Sequence, residues 1–198
     1  MTQTVTHVYD DPSEARRVIA ALESAGFTSS EISIVRQNDG DTSWGDNTSD
    51  SVSDGASTGA SVGLAAGTGA GLLASLGLIA IPGIGPLVAA GVLATTLATA
   101  AAGAVTGGVL GALIDYGVSE EDAPVYAENV RRGGTLVSVR ADDMRASQAE
   151  QIMMQHSPVD MGMRGDAYRE EGWTSYDPAS PAYTKDEVEA ERRRYRSM

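Results

Sequence analysis

Ile81-Pro82-Gly83-Ile84-Gly85-Pro86 lies near the middle of sixty consecutive residues, Gly55 to Ile114, that contain no Asp, Glu, Lys, Arg, His, Asn or Gln. How this stretch folds decides the architecture. Two prolines and two glycines within six residues make a turn that no helix passes through unbroken. Upstream, glycine recurs on a four-residue step at Gly55, Gly59, Gly63, Gly67 and Gly71. Downstream, small residues keep the same step at Gly91, Thr95, Thr99, Gly103, Gly107 and Gly111. A step of four stays on one side of an α-helix, so each stripe predicts a smooth groove. Residues 59–115 are therefore expected to form a glycine-zipper helical hairpin. Its turn is Pro82, Gly83, Gly85 and Pro86, and its facing grooves let two backbones approach closely.

The six glycines between positions 59 and 81 each cost ~1 kcal/mol relative to Ala in a helix interior. Their sum rivals the whole stability of a small domain, about 5–15 kcal/mol. Close packing must offset it, or a lipid environment in which an unpaired backbone amide costs several kcal/mol. Leu72, Leu73, Leu76, Leu78, Ile79 and Ile81 are too apolar for a solvated linker.

Outside this stretch the pattern is that of a small α/β domain cut in two. Residues 4–9 read as a β-branched strand. Asp11 and Pro12 open a helix with the apolar stripe Ala15, Val18, Ile19, Leu22, and Gly26 closes it. Ile32-Ser33-Ile34-Val35 is a second strand, completing the first half-domain, 1–36. Residues 37–58 carry five Asp and no basic residue, which reads as a disordered acidic linker. In the second half-domain, 116–160, a helix with Ala123, Tyr126, Ala127 and Val130 stops at Gly133-Gly134. Strand Thr135–Val139 and a helix capped by Asp142 follow. The expected fold is α+β: an incomplete ferredoxin-like sandwich (β-α-β … α-β-α), three strands with helices on one face, interrupted by the hairpin. Residues 161–198 read as a mostly disordered tail ending in a short helix. Trp173, Tyr176, Arg192, Arg193 and Arg194 are its candidate docking residues.

A formal net charge of −13 argues against nonspecific attraction to nucleic acid. No cysteine is present, so disulfides and thiolate chemistry are excluded. The first residues, Met1-Thr2-Gln3-Thr4-Val5, lack the pattern of a secretory signal, so the polar parts are expected in the cytoplasm. His7 and His156 stand apart from any metal-ligand spacing. Gly69-x-Gly71-x-x-Ala74 has the spacing of a dinucleotide fingerprint, but no strand precedes it and no acidic ribose ligand follows. Asp10-Asp11, Glu120-Glu121-Asp122 and Asp142-Asp143 each sit at a helix start, where capping explains them. No catalytic residue, cofactor or metal is expected.

Val8-Tyr9-Asp10, the helix from Ala15 to Gly26-Phe27, the strand Ile32–Val35 and Gly133-Gly134-Thr-Leu-Val-Ser-Val139 resemble the general stress protein (YflT-like, heat-induced stress protein) domain family. Ile81–Pro86 is similar to the glycine-rich central hairpin of its bacterial relatives. The resemblance spans roughly residues 4–157 and implies a bacterial, stress-associated, non-enzymatic protein.

Two functional readings follow. In the first, each limb exceeds the ~20 residues that span a bilayer. The hairpin then inserts in or associates with the cytoplasmic membrane and displays the α/β domain in the cytoplasm, with membrane lipid as a partner. Against it, the flanks carry Asp50, Asp54, Asp115, Glu120 and Glu121 with no Lys or Arg nearby. In the second, the protein is a soluble cytoplasmic scaffold or interaction module, and the hairpin is buried by self-association or against its own domain. Both expect a homo-oligomer, and neither names a protein partner.

Overall fold

Asp11 shows why the first helix starts where it does. Its carboxylate accepts the Ser13 amide at 2.8 Å, Pro12 occupies the first turn, and α1 runs Pro12–Ser24. Gly26 at φ +88° ends it, and the Phe27 amide returns to the Leu22 carbonyl at 3.0 Å. Before it lies β1 (Thr2–Tyr9) and after it β2 (Ile32–Gln37). The structure, a computed structural model, describes residues 2–38, 77–81, 84–101, 108–181 and 183–195. Along the rest of the chain come β3 (Gly77–Ile81), β4 (Gly85–Ala90), α2 (Val92–Ala101), α3 (Gly108–Asp115) and α4 (Ala123–Arg131). They are followed by β5 (Thr135–Asp142), α5 (Asp143–Met154), α6 (Met161–Glu170) and α7 (Lys185–Tyr195).

The fold is α+β. Its five strands form one sheet in the order β1-β5-β2-β4-β3, and every neighbouring pair is antiparallel. β5 lies between β1 and β2, so the two half-domains close into one sheet.

Side-chain alternation along the strands builds a core on each face. On one face Ile32, Ile34, Val137 and Val139 lie under Ala15, Val18, Ile19 and Leu22 of α1 and Ala149 and Met153 of α5. On the other, Val35, Leu87, Ala89 and Leu136 lie under Leu93 and Leu97 of α2, Leu113 of α3, and Ala127 and Val130 of α4. The expectation of helices on one face is thus corrected. The sheet is covered on both sides, because α2 and α3 of the interrupting segment join α4 in a second layer.

Within that segment the correction falls on the residues flanking the turn, whereas α2 and α3 are helical as expected. The chain does reverse between Ile81 and Gly85, but the flanking residues are strands: Ile81 pairs with Gly85, Ile79 with Leu87, and Gly77 with Ala89. β4 then pairs with β2, Val35 opposite Ala89 and Gln37 opposite Leu87. Short uncharged apolar runs do not distinguish helix from strand by periodicity. The free edge of β2 decides for strand, because it offers hydrogen bonds that a helix could not take.

The glycine stripes fare accordingly. Gly91 is not a helix-packing residue but a bend before α2, at φ +82°. On α2 the buried side is Leu93, Ala94, Leu97 and Ala100, while Thr95 and Thr99 hydrogen-bond back to their own helix. Gly111 is within α3, half-buried. Gly85 and Pro86 open β4. Gly59, Gly63, Gly67, Gly71, Gly103, Gly107, Pro82 and Gly83 lie outside the described residues, as does the linker beyond Asn38.

Candidate functional site

The segment after residue 160, expected as a mostly disordered tail, forms α6 and α7 around a small aromatic core. Tyr168 is fully buried, with Trp173 and Tyr195 meeting its ring edge-on at centroid distances of 6.0 Å and 6.3 Å. Val125 of α4 completes this cluster. Gly133 makes room for α7: a Cβ there would lie 2.3 Å from Val188 Cγ1.

Buried charge holds the same region together. Arg132 is 7% exposed and donates to Glu128 at 2.7 Å and to Glu171 and Glu191 at 2.9 Å each. Its guanidinium also stacks 4.0 Å over the Tyr168 ring. Glu171 then accepts the Tyr195 hydroxyl at 3.0 Å and pairs with Arg194 at 2.7 Å. Burial pushes the Glu171 carboxyl upward, but Arg132 and Tyr195 donate to it and the arginine charges oppose protonation, so it is held below the usual carboxylate range. Burial raises the Tyr168 hydroxyl well above its ordinary value.

Between this cluster and α1 lies an open groove of about 680 Å³. Pro158, Val159, Met163 and Ala167 line it with apolar surface. Asp10, Asp11, Glu14, Asp160, Asp166 and Glu170 surround them with carboxylates. The cation in the lining is Arg164, which is turned onto Asp10 by two hydrogen bonds of 3.0 Å and 2.6 Å and covers the Tyr195 ring at 3.7 Å. Asp11 and Asp160 are engaged as helix caps and Asp166 with Arg169.

Ser157 lines the groove at φ 51°, left-handed for a non-glycine residue. His156 beside it lies 3.4 Å from Glu14. No group of three or more His, Cys, Asp or Glu among the described residues could hold a metal ion. Chemically, the groove is suited to receive a cationic group against apolar surface.

The docking residues expected from sequence are placed against the chain's own domain. Trp173 packs on Tyr168, and half-buried Tyr176 joins the α2–α4 core. Arg192 donates to the Gly133 carbonyl at 2.9 Å, Arg194 pairs with Glu171, and exposed Arg193 reaches Glu189 at 3.6 Å. Sequence reading missed Arg132, Glu128 and Arg164, and it assigned Asp10 to helix capping, whereas Asp11 caps α1 and Asp10 holds Arg164. Asp10 and Arg164 are 154 positions apart, and no local pattern announces such a pair.

An α+β domain with a closed C-terminal aromatic cluster and an acidic groove is thus defined. In comparisons with known proteins, no family model, no curated protein and no solved structure matches this chain.

Proposed function

We propose that this chain is a non-enzymatic interaction module, a self-associating scaffold in the bacterial cytoplasm. The general stress protein resemblance gives its setting, and its half-domains are those of a ferredoxin-like sandwich extended by the β3–β4 hairpin. The groove between α1 and α6 is the surface it offers, with a charge that selects cationic groups.

One observation carries the choice of scaffold over membrane hairpin. Ile84, Leu87, Leu93, Leu97 and Leu113, all from the downstream limb, are buried against the chain's own sheet. In lipid those five side chains would stay out of water, but Val35, Leu136, Ala127 and Val130 beneath them would not. At roughly 1.5–3 kcal/mol per large side chain exposed, withdrawing the limb consumes most of a domain's stability. Among the described residues no helix is long and apolar enough to cross a membrane. The membrane reading then rests on the upstream glycine run, 55–76, alone.

Cell fractionation followed by an alkaline carbonate wash of the membranes tests this. The full chain is expected in the soluble fraction. Recovery in carbonate-resistant membranes would overturn the scaffold reading.

A further inference from the structure

The sheet ends on β1, which has a strand neighbour on one side alone. Thr2-Gln3-Thr4-Val5-Thr6-His7-Val8-Tyr9 contains no Lys, Asp, Glu, Pro or Gly, and it pairs with β5 without a bulge from Thr2 opposite Asp142 to Tyr9 opposite Thr135. Charges, prolines and bulges are the devices by which proteins keep strand edges from pairing with other chains. β1 has none of them.

The ladder shows which groups face outward. Val8 accepts the Val159 amide at 2.8 Å on the side away from β5, so its carbonyl points off the sheet. Arg140, opposite Thr4, donates its amide to Glu31 on the β2 side at 2.8 Å. Thr4 and Arg140 are therefore a pair that exchanges no backbone hydrogen bonds, and Thr4 also points outward. Alternation extends this to Thr2 and Thr6. Among the described residues the outward backbone groups are bonded only at Val8, while the Thr6 hydroxyl donates to the Tyr116 carbonyl at 3.2 Å. Gly117 packs against Thr4, where an added Cβ would lie 3.3 Å from the Thr4 carbonyl.

We infer that β1 pairs with β1 of a second copy, antiparallel about a twofold axis at Thr4, joining two five-stranded sheets into one. This rests on the self-association in the proposed function and assigns its interface. A register centred on Thr4 sets Thr2 against Thr6 of the second copy. It uses the outward groups of Thr2, Thr4 and Thr6 and stops short of Val8, whose carbonyl Val159 already holds. About six backbone hydrogen bonds form in that register. The facing strands bring no charge from Thr2 through Thr6, so the seam itself adds no repulsion to that between two chains of net charge −13. Thr opposite Thr is a favourable cross-strand pair. Added salt screens the repulsion between the remaining surfaces, so the dimer tightens as ionic strength rises.

The test uses the full chain in sedimentation velocity across a concentration series, with hydrogen exchange read at Thr4 and Thr6. A concentration-dependent dimer is expected, with slow exchange at both amides in the dimer and fast exchange on dilution. Thr4→Pro removes only an outward amide, which an edge strand tolerates, so it should give a folded monomer. Thr4→Lys should do the same through charge, and Thr4→Val should remain a dimer. A wild-type monomer at every concentration with fast exchange at Thr4 and Thr6 overturns both this interface and self-association. A dimer that survives Thr4→Pro and Thr4→Lys overturns the interface alone.

Discussion

Replacing Gly91 by Ala gives opposite results under the two accounts of the central segment. In a glycine-zipper helix the change would raise helix propensity and add ~0.5–1 kcal/mol of stability. In this structure Gly91 is a bend at φ +82°, where an added Cβ would lie 2.3 Å from the Ile32 carbonyl oxygen, 2.6 Å from Ser33 Oγ and 2.7 Å from Ser33 Cα. The left-handed conformation costs an L-residue about 1–2 kcal/mol. Two of the contacts are backbone, so no rotamer relieves them and β2 itself must shift, an overpacking cost of about 1–3 kcal/mol. The same shift disturbs Ser33 Oγ, which accepts the Leu93 amide at 3.2 Å in the first turn of α2. Losing such a cap costs ~1 kcal/mol. The total is about 3–6 kcal/mol, which at a urea slope near 2 kcal/mol/M lowers the unfolding midpoint by about 1.5–3 M.

Equilibrium urea unfolding followed by far-ultraviolet circular dichroism reads this directly. Gly26→Ala is the control. Its φ of +88° carries the same conformational strain, but nothing lies within 4 Å of the added Cβ. That variant should lose only the ~1–2 kcal/mol of backbone strain. If Gly91→Ala matches the wild type, or falls no further than Gly26→Ala, the packing of the α2 bend against β2 is refuted.

Two further outcomes are expected. Arg132→Met leaves the buried Glu128 with one of its two arginine partners and removes the guanidinium from Tyr168. The loss should be about 3–5 kcal/mol, and Trp173 fluorescence should report release of the C-terminal cluster; an unchanged midpoint would count against the buried network. The pH profile should fall at both ends. The Glu31 and Glu171 carboxyls are held below their ordinary 4.5, so their contribution is present above that pH and is lost as pH falls through the lower folded values. Burial pushes the Tyr126 and Tyr195 hydroxyls from 10.0 up to about 12, so the stability they lend is full below pH 10.0 and is lost as pH rises toward about 12. Urea midpoints measured across both windows check this, and a flat profile in either one contradicts the corresponding groups.

Local signals in the sequence were legible where they are local in physics. The capping of α1 by Asp11, its stripe from Ala15 to Leu22 and the stop at Gly26 all depend on residues within a few positions of one another. The reversal at Ile81–Pro86 is legible for the same reason, since proline and glycine restrict or free their own dihedrals. The groove was not legible, because Asp10 and Arg164 meet only after α6 has packed. The short terminal helix was legible, but α6 and the docking of α7 were not, because both depend on Tyr168, Trp173 and Tyr195 meeting. Gly133-Gly134 is legible as a helix stop, while the close approach of Val188 to Gly133 arises only in the folded chain.

By itself the sequence determined which residues of the uncharged stretch seek burial, and among its described residues Leu87, Leu93, Leu97 and Leu113 leave water. It also determined where that segment turns and where the polar helices begin and end. Whether the apolar residues become helix or strand was left to the tertiary structure, because burial is indifferent to backbone form while hydrogen bonding is not. The free edge of β2 supplies partners for β4, and pairing there satisfies backbone groups that the apolar side chains leave without water.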